Sequence, residues 1–115
     1  MSHQGFYSCI QICPDVFIND RLTIGILLCS PELNLIKAEP YGNPFRISEY
    51  FGIPVNLIYS LMNGTIEYIN RFIKTKEELE KYISTRANNI KLTELRSVRI
   101  DNDFDITLNR LLKYV

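Results

Sequence analysis

Hydrophobic and polar residues alternate through the first forty positions in the manner of β-strands. Residues 6–13 are rich in aromatic and β-branched side chains and end before Pro14, which predicts a first strand. Apolar groups fall on both of its faces, so we expect this strand to be central in a sheet. Residues 21–29 and 33–39 alternate in the same way, and a tight turn near Pro31 joins them. The pattern predicts an antiparallel meander of three strands.

The second predicted strand carries a glycine at its centre. Strict alternation places four aliphatic side chains on one face of this strand: Leu22, Ile24, Ile26 and Leu28. Gly25 lies among them, and a glycine inside a strand permits a β-bulge or the close approach of another group. We therefore expect one apolar face here, with a bulge or a close contact at Gly25.

Helical spacing replaces the alternation after residue 43. Pro44 and Gly52 bracket a short helix in the expected order, with proline at its start and glycine past its end. Residues 54–72 then repeat apolar positions every three or four residues, at Ile58, Leu61, Met62, Thr65, Ile69 and Phe72. Asn63 and Gly64 interrupt this pattern, which leaves open one helix with a weak centre or two separate helices.

The last third of the chain shows three clear local signals. Thr75 and Glu78 form a capping box that starts a helix, and residues 90–100 return to strand-like alternation with a break near Glu94. Asp103 can cap a final helix. The predicted fold is α+β, in which three to four helices pack on a small antiparallel sheet made of the N-terminal meander and one late strand. We expect residues 1–115 to form a single domain.

Composition narrows the function classes. Hydrophobic residues make up 46% of the 115 positions, which is enough for a core without disulfides or a structural metal. Lys plus Arg and Asp plus Glu both number 13, and this balance argues against a dedicated nucleic-acid-binding protein while leaving a local basic patch open. Three cysteines and the absence of a secretion signal favour a cytoplasmic protein with reduced thiols. No apolar run reaches the roughly 20 residues that a membrane span needs.

The usual catalytic and metal-binding patterns are missing from the sequence. His3 is the only histidine, so a histidine-based triad or metal site in the core is not expected. Cys9 and Cys13 share a strand face at a separation of about 13 Å, which is too far for a disulfide or for one metal ion. The acidic stretch 101–105 lacks the glycine and the distal glutamate of a calcium loop. We therefore predict no catalytic residue, no metal and no cofactor.

Arginine and asparagine residues near the end of the capped helix raise a different question. Arg86 suits the negative end of a helix dipole, and Asn88 or Asn89 suits a helix C-cap. Strict alternation puts Arg96 on the apolar face of the late strand, unless the break near Glu94 reverses the register. A buried arginine needs an acidic partner or an anionic ligand. The sequence leaves both alternatives open.

Four segments together resemble a known family. They read FYSCIQICPD, DRLTIGILLCSP, RANNIKLTELRSV and LNRLLKYV, and they are similar in that order to the bacterial domain-of-unknown-function family numbered 3037. The matching positions are Tyr7, Ser8, Gln11, Pro14, Asp15, Arg21, Gly25, Arg86, Asn88, Asn89, Thr93 and Arg96. The match spans nearly the whole chain. It departs from the family at Thr23, where members usually carry asparagine, and at Leu95, where many carry proline.

The resemblance implies a partner rather than a reaction, because genes of this family often lie beside genes for HipA-like kinases. The first hypothesis is a non-enzymatic accessory module whose partner is a HipA-like kinase or a second copy of the chain, in a toxin–antitoxin-like or defence operon. The alternative is a protein that binds or processes phosphate or nucleic acid through an anion clamp. That clamp would consist of Arg21, Arg86, Asn88, Asn89 and Arg96. A cysteine-dependent enzyme is a third hypothesis, and only His3 lies near Cys9 in sequence as a base.

Overall fold

Antiparallel pairing joins the N-terminal strands to the late ones in a single sheet. The computed structural model describes residues 3–14, 21–85, 90–100 and 103–113. Within those ranges it has five strands: β1 His3–Ile12, β2 Leu22–Ser30, β3 Leu35–Pro40, β4 Ile90–Leu92 and β5 Arg96–Ile100. The order across the sheet is β3-β2-β1, and both β4 and β5 pair with the remaining edge of β1. The predicted meander with a central first strand is confirmed, and the late strand is divided in two.

Helices cover both faces of this sheet. Four lie within the described ranges: α1 Pro44–Phe51, α2 Val55–Phe72, α3 Lys76–Thr85 and α4 Phe104–Lys113. The larger core lies under α1, α2 and α3 and includes the fully buried Ile10, Leu27 and Ile58. A smaller core lies under α4 and contains Ile26 and Leu108. The predicted α+β class is therefore confirmed.

A β-bulge in β2 corrects the prediction for that strand. Ile10 pairs with Gly25, whereas the next residue of β1, Gln11, pairs with Thr23, so Ile24 is an extra residue. The extra residue reverses the strand faces, because side chains alternate with a period of two. Ile24 and Leu22 consequently pack with the larger core, while Ile26 and Leu28 pack under α4. The expectation of one shared apolar face was wrong, and the irregularity expected near Gly25 is confirmed.

The helix termini follow the signals in the sequence. Asn43 Oδ1 accepts a hydrogen bond from the Phe45 N–H at 2.9 Å, and Gly52 ends α1 in the left-handed conformation with φ of 68°. Thr75 Oγ1 accepts from the Glu78 N–H at 3.1 Å, which starts α3. Asp103 Oδ1 accepts from the Asp105 N–H at 2.8 Å and starts α4. These side chains satisfy backbone donors that a helix start leaves without partners.

The middle helix is continuous through Asn63 and Gly64. Residues 55–72 form one α2 of 18 residues, so the question that the sequence left open is answered. Its buried face carries Ile58, Met62 and Ile69. Phe72 fits the apolar repeat of the helix but does not belong to that buried face, because 55% of it is exposed.

Candidate functional sites

Arg96 lies on the opposite face of the sheet from Leu92. Leu92 pairs with Ile10, but Arg96 pairs with Tyr7, so the chain between them holds one residue more than β1 does. This extra residue turns Arg96 toward the α4 side of the sheet, where the side chain is exposed. Among the described residues, no carboxylate lies within ion-pair distance of Arg96. The break therefore answers the register question, and Arg96 is not a buried charge.

Thr93 holds the chain at this break. Its N–H donates to the Cys9 carbonyl at 3.0 Å, and its Oγ1 accepts from the Cys9 N–H at 2.9 Å. A side-chain oxygen thus replaces the backbone carbonyl that a regular ladder would offer to Cys9. Thr93, one of the positions of the family resemblance, consequently has a structural role at the point where β4 gives way to β5.

Arg21 immediately precedes β2 and is not close to Arg96. Leu22, which follows Arg21, pairs with Ile12, whereas Arg96 pairs with Tyr7 on the other side of β1. Those positions on β1 are about 17 Å apart, given the rise of a strand. The structure therefore does not bring these two arginines together. The other three residues of the predicted clamp, Arg86, Asn88 and Asn89, lie outside the described residues.

Arg21 instead shares a surface cleft with Arg46, which the sequence analysis did not single out. The cleft has a volume of about 450 Å³, lies at the start of α1, and is also lined by Tyr41 and Tyr50. Arg46 falls in the first turn of α1, which has no acidic residue to balance the positive end of the helix dipole. An arginine two residues after an Asn-Pro helix start was the signal in the sequence. This pair is the stronger candidate for an anion site.

The cysteines have the surroundings of structural thiols. Burial raises the pKa of the Cys9 thiol, although Arg96 and a hydrogen bond with Thr93 act in the opposite direction. Burial raises the pKa of Cys29 to about 11, and Glu77 and Glu80 add to the effect of burial while Lys76 opposes it. A protonated thiol is a poor nucleophile and a poor metal ligand. No group of metal-ligating side chains occurs in the part of the chain that the structure describes.

The outer surface of α2 and α3 carries a cluster of aromatic side chains. The ring centroids of Tyr68 and Tyr82 lie 5.2 Å apart with the rings nearly parallel, and the centroid of Phe72 lies 5.1 Å from that of Tyr68. Tyr68 is 45% exposed and Phe72 is 55% exposed. We call these three residues the aromatic surface.

A groove and a polar rim adjoin this aromatic surface. The groove has a volume of about 350 Å³, and Glu78 and Lys81 line it beside the three rings. Leu57 is also exposed on α2, eleven residues before Tyr68 and therefore on nearly the same side of the helix. Sequence reasoning missed this site because Phe72 fits the apolar repeat of α2. The i, i+4 spacing of Tyr68 and Phe72 was the available signal.

Comparisons with known proteins found no relative of this chain. No family model, no curated protein and no solved structure matches the chain. In the part of the chain that the structure describes, no helix is both long enough and apolar enough to cross a membrane.

Proposed function

We propose that this chain is a non-enzymatic interaction module whose protein partner binds the aromatic surface. The observation that carries the proposal is the exposure of Tyr68 and Phe72 beside a groove with a charged rim. Tyrosine and phenylalanine are enriched at the centres of protein interfaces, and charged residues surround those centres. Side chains of this size lose little conformational entropy on binding because each has only two side-chain torsions.

The arrangement of the rings supports a preformed binding surface. Tyr68 is held between Tyr82 of α3 and Phe72 of its own helix, so the rings are positioned before any partner arrives. Preorganised side chains reduce the entropic cost of association. The protonated state of Cys9 and Cys29 near neutral pH offers little support for the alternative of a cysteine-dependent enzyme.

The partner that the family resemblance implies is a HipA-like kinase, because genes of that family often lie beside genes for such kinases. In the proposal, the chain acts as its accessory protein in a toxin–antitoxin-like or defence operon. The groove presents both signs of charge at its rim, Glu78 and Lys81, which suits a folded protein surface better than a nucleic acid. A cytoplasmic location belongs to the proposal, because Cys9, Cys13 and Cys29 are not joined in disulfides and reduced thiols suit a reducing compartment.

Co-purification tests this proposal. The chain would be co-expressed with the neighbouring HipA-like kinase, and the complex would be recovered through a tag on the kinase at micromolar concentration. We expect the wild-type chain and Phe45→Ala to be recovered, and Phe72→Ala to be lost. Phe45 is the matched control because it is 59% exposed and contacts Tyr59 instead of the aromatic surface. If the wild-type chain does not co-purify with the kinase, the kinase is not the partner. Self-association that depends on Phe72 would instead identify a second copy of the chain as the partner.

Anion binding is the second candidate function, and the cleft shared by Arg21 and Arg46 favours it. Two guanidinium groups beside a helix start suit a phosphate group. Titration of inorganic phosphate, followed by backbone amide NMR, is expected to shift the Arg46 and Ile47 signals in the wild type. Arg46→Gln should remove that shift while leaving the rest of the spectrum unchanged. A shift that persists in Arg46→Gln, or no shift at millimolar phosphate, would rule out this cleft as a phosphate site.

A further inference from the structure

The two edges of the sheet differ in how they are protected. At the β3 edge, the Ala38 N–H donates to Asn70 Oδ1 at 2.7 Å, and Asn70 Nδ2 donates to the Ala38 carbonyl at 3.1 Å. The carboxamide thus occupies both backbone groups of Ala38, which a further strand would otherwise use. Pro40 in the same strand has no N–H to offer. The β3 edge is therefore blocked to strand addition at Ala38 and Pro40.

Among the described residues, β5 pairs on one side only, with β1, and Ser97 and Arg99 are exposed. The hydrogen bonds at the break show which residues of this open edge point outward. Both backbone groups of Cys9 bind Thr93 on the β4–β5 side. The backbone N–H and carbonyl groups of successive residues in a strand point to alternate sides. Those of Tyr7 and Gly5 therefore also point toward β5. The register then gives three hydrogen-bonded pairs, which are Tyr7 with Arg96, Gly5 with Val98 and His3 with Ile100. Ser97 and Arg99 consequently direct their N–H and carbonyl groups away from the sheet.

Positive charge accompanies this open edge. Arg96 and Arg99 are exposed and lie on opposite faces, because their positions in β5 differ by three. No carboxylate of the described residues lies within ion-pair distance of either one. Residues 90–100 carry three cationic side chains and one acidic side chain, Glu94, which lies in the break.

We propose that the β5 edge binds an extended acidic peptide segment as an added antiparallel strand. In that pairing, the peptide residues opposite Arg96 and Arg99 are three positions apart, one on each face of the sheet. The recognised segment therefore has two carboxylates separated by two other residues, and β-branched residues between them would suit the strand. Backbone bonds to Ser97 and Arg99 would supply affinity, and the two ion pairs would supply the register.

A second copy of this chain fits the edge less well. Antiparallel pairing of two β5 strands about Val98 would put Arg96 opposite Ile100 and Arg99 opposite Ser97. Neither arginine would then face a carboxylate. Charge complementarity thus selects an acidic segment over self-pairing. This edge is separate from the aromatic surface, since α2 packs over β3 and β2 at the other side of the sheet.

A synthetic peptide tests the proposal directly. The probe is acetyl-Thr-Glu-Val-Thr-Glu-Thr-amide, and its control has the same composition with the two glutamates two positions apart. Amide NMR of the full chain is expected to show that the Ser97 and Arg99 signals move downfield with the probe and exchange more slowly with solvent. The control should bind about fivefold more weakly, because one of its carboxylates falls on the wrong face.

Charge variants distinguish peptide binding at the β5 edge from peptide binding at the α1 cleft. Arg96→Glu and Arg99→Glu should each weaken binding at least fivefold, and the double variant should bind the corresponding lysine peptide instead. Arg46→Gln is the matched control, because an acidic peptide drawn to the α1 cleft would lose its binding there. Loss of binding in Arg46→Gln alone would overturn the proposal. Unchanged Ser97 and Arg99 signals at millimolar peptide would also overturn the proposal and would indicate that the edge is protected. Signals that shift with protein concentration in the absence of peptide would overturn it in favour of self-pairing.

Discussion

Ser8 and Thr93 are joined by a partly buried hydrogen bond at the point where the late strand changes register. Ser8 Oγ donates to the Thr93 carbonyl at 2.7 Å, and Ser8 has no exposed surface. The carbonyl would otherwise lie partly buried in the break without a ladder partner. One hydroxyl of β1 therefore stabilises the irregularity that turns Arg96 outward.

Ser8→Ala should lower the free energy of unfolding by about 1–3 kcal/mol, because it leaves the Thr93 carbonyl without a donor. Urea denaturation followed by circular dichroism would measure this change. Ser84→Ala is the control, since the exposed Ser84 hydroxyl donates to a carbonyl on the surface of α3. We expect that variant to stay within about 0.5 kcal/mol of the wild type. Equal effects of the two substitutions would contradict the role given to Ser8.

Asn70→Ala should have two consequences. The free energy of unfolding should fall by about 1–2 kcal/mol, because both backbone groups of Ala38 lose their partner. The β3 edge should also become available to other chains, which sedimentation velocity would detect as self-association. Asn63→Ala, an exposed change on the same helix, should show neither effect. A monomeric and fully stable Asn70→Ala protein would contradict the assignment of Asn70 as an edge block.

Gly64→Ala should stabilise the protein by about 0.5–1 kcal/mol. Gly64 lies inside α2, and a Cβ built there has no neighbour within 4 Å, so only the helix preference of alanine changes. Gly25→Ala should be destabilising, since a Cβ there would lie 3.0 Å from the Glu39 carbonyl oxygen. Thermal unfolding monitored by calorimetry would give opposite shifts in Tm for the two variants. A lower Tm for Gly64→Ala would show that α2 depends on glycine at this position.

The pKa of Cys29 predicts a loss of stability at alkaline pH. Burial raises this pKa from 9.0 to about 11, so the folded protein holds the thiol proton more tightly than the unfolded chain does. The resulting stability is fully present below pH 9 and is lost as the pH rises toward 11. The free energy of unfolding should therefore fall more steeply in the wild type than in Cys29→Ala over that interval. Parallel curves in urea titrations at several pH values would contradict the raised pKa.

Local signals gave the correct elements in this chain. The capping box at Thr75 and the cap at Asp103 depend on residues three or fewer positions away, so their outcome could be predicted from the sequence. The meander followed from alternation and from the short turn near Pro31. The larger part of the fold was predictable for this reason.

Side-chain direction at the candidate sites could not be predicted in the same way. The faces of Ile26 and Arg96 depend on extra residues whose positions are set by hydrogen bonds between distant strands. The exposure of Phe72 depends on where α3 packs against α2, although its spacing matches the buried residues of α2. Arg46 was overlooked because its cleft is formed by Arg21 and Tyr41, which lie before α1 in the chain. All of these features depend on contacts between parts of the chain that are distant in sequence, so local patterns could not predict them.

Calorimetric titration of the purified chain into the purified HipA-like kinase tests the central claim most directly. The account predicts saturable binding by the wild type, about thirtyfold weaker binding by Phe72→Ala, and unchanged binding by Phe45→Ala. The exposed positions of both phenylalanines make these variants suitable, since neither lies in the core. No heat of binding at micromolar concentration, or equal losses in the two variants, would contradict the claim that the aromatic surface of α2 and α3 binds this partner.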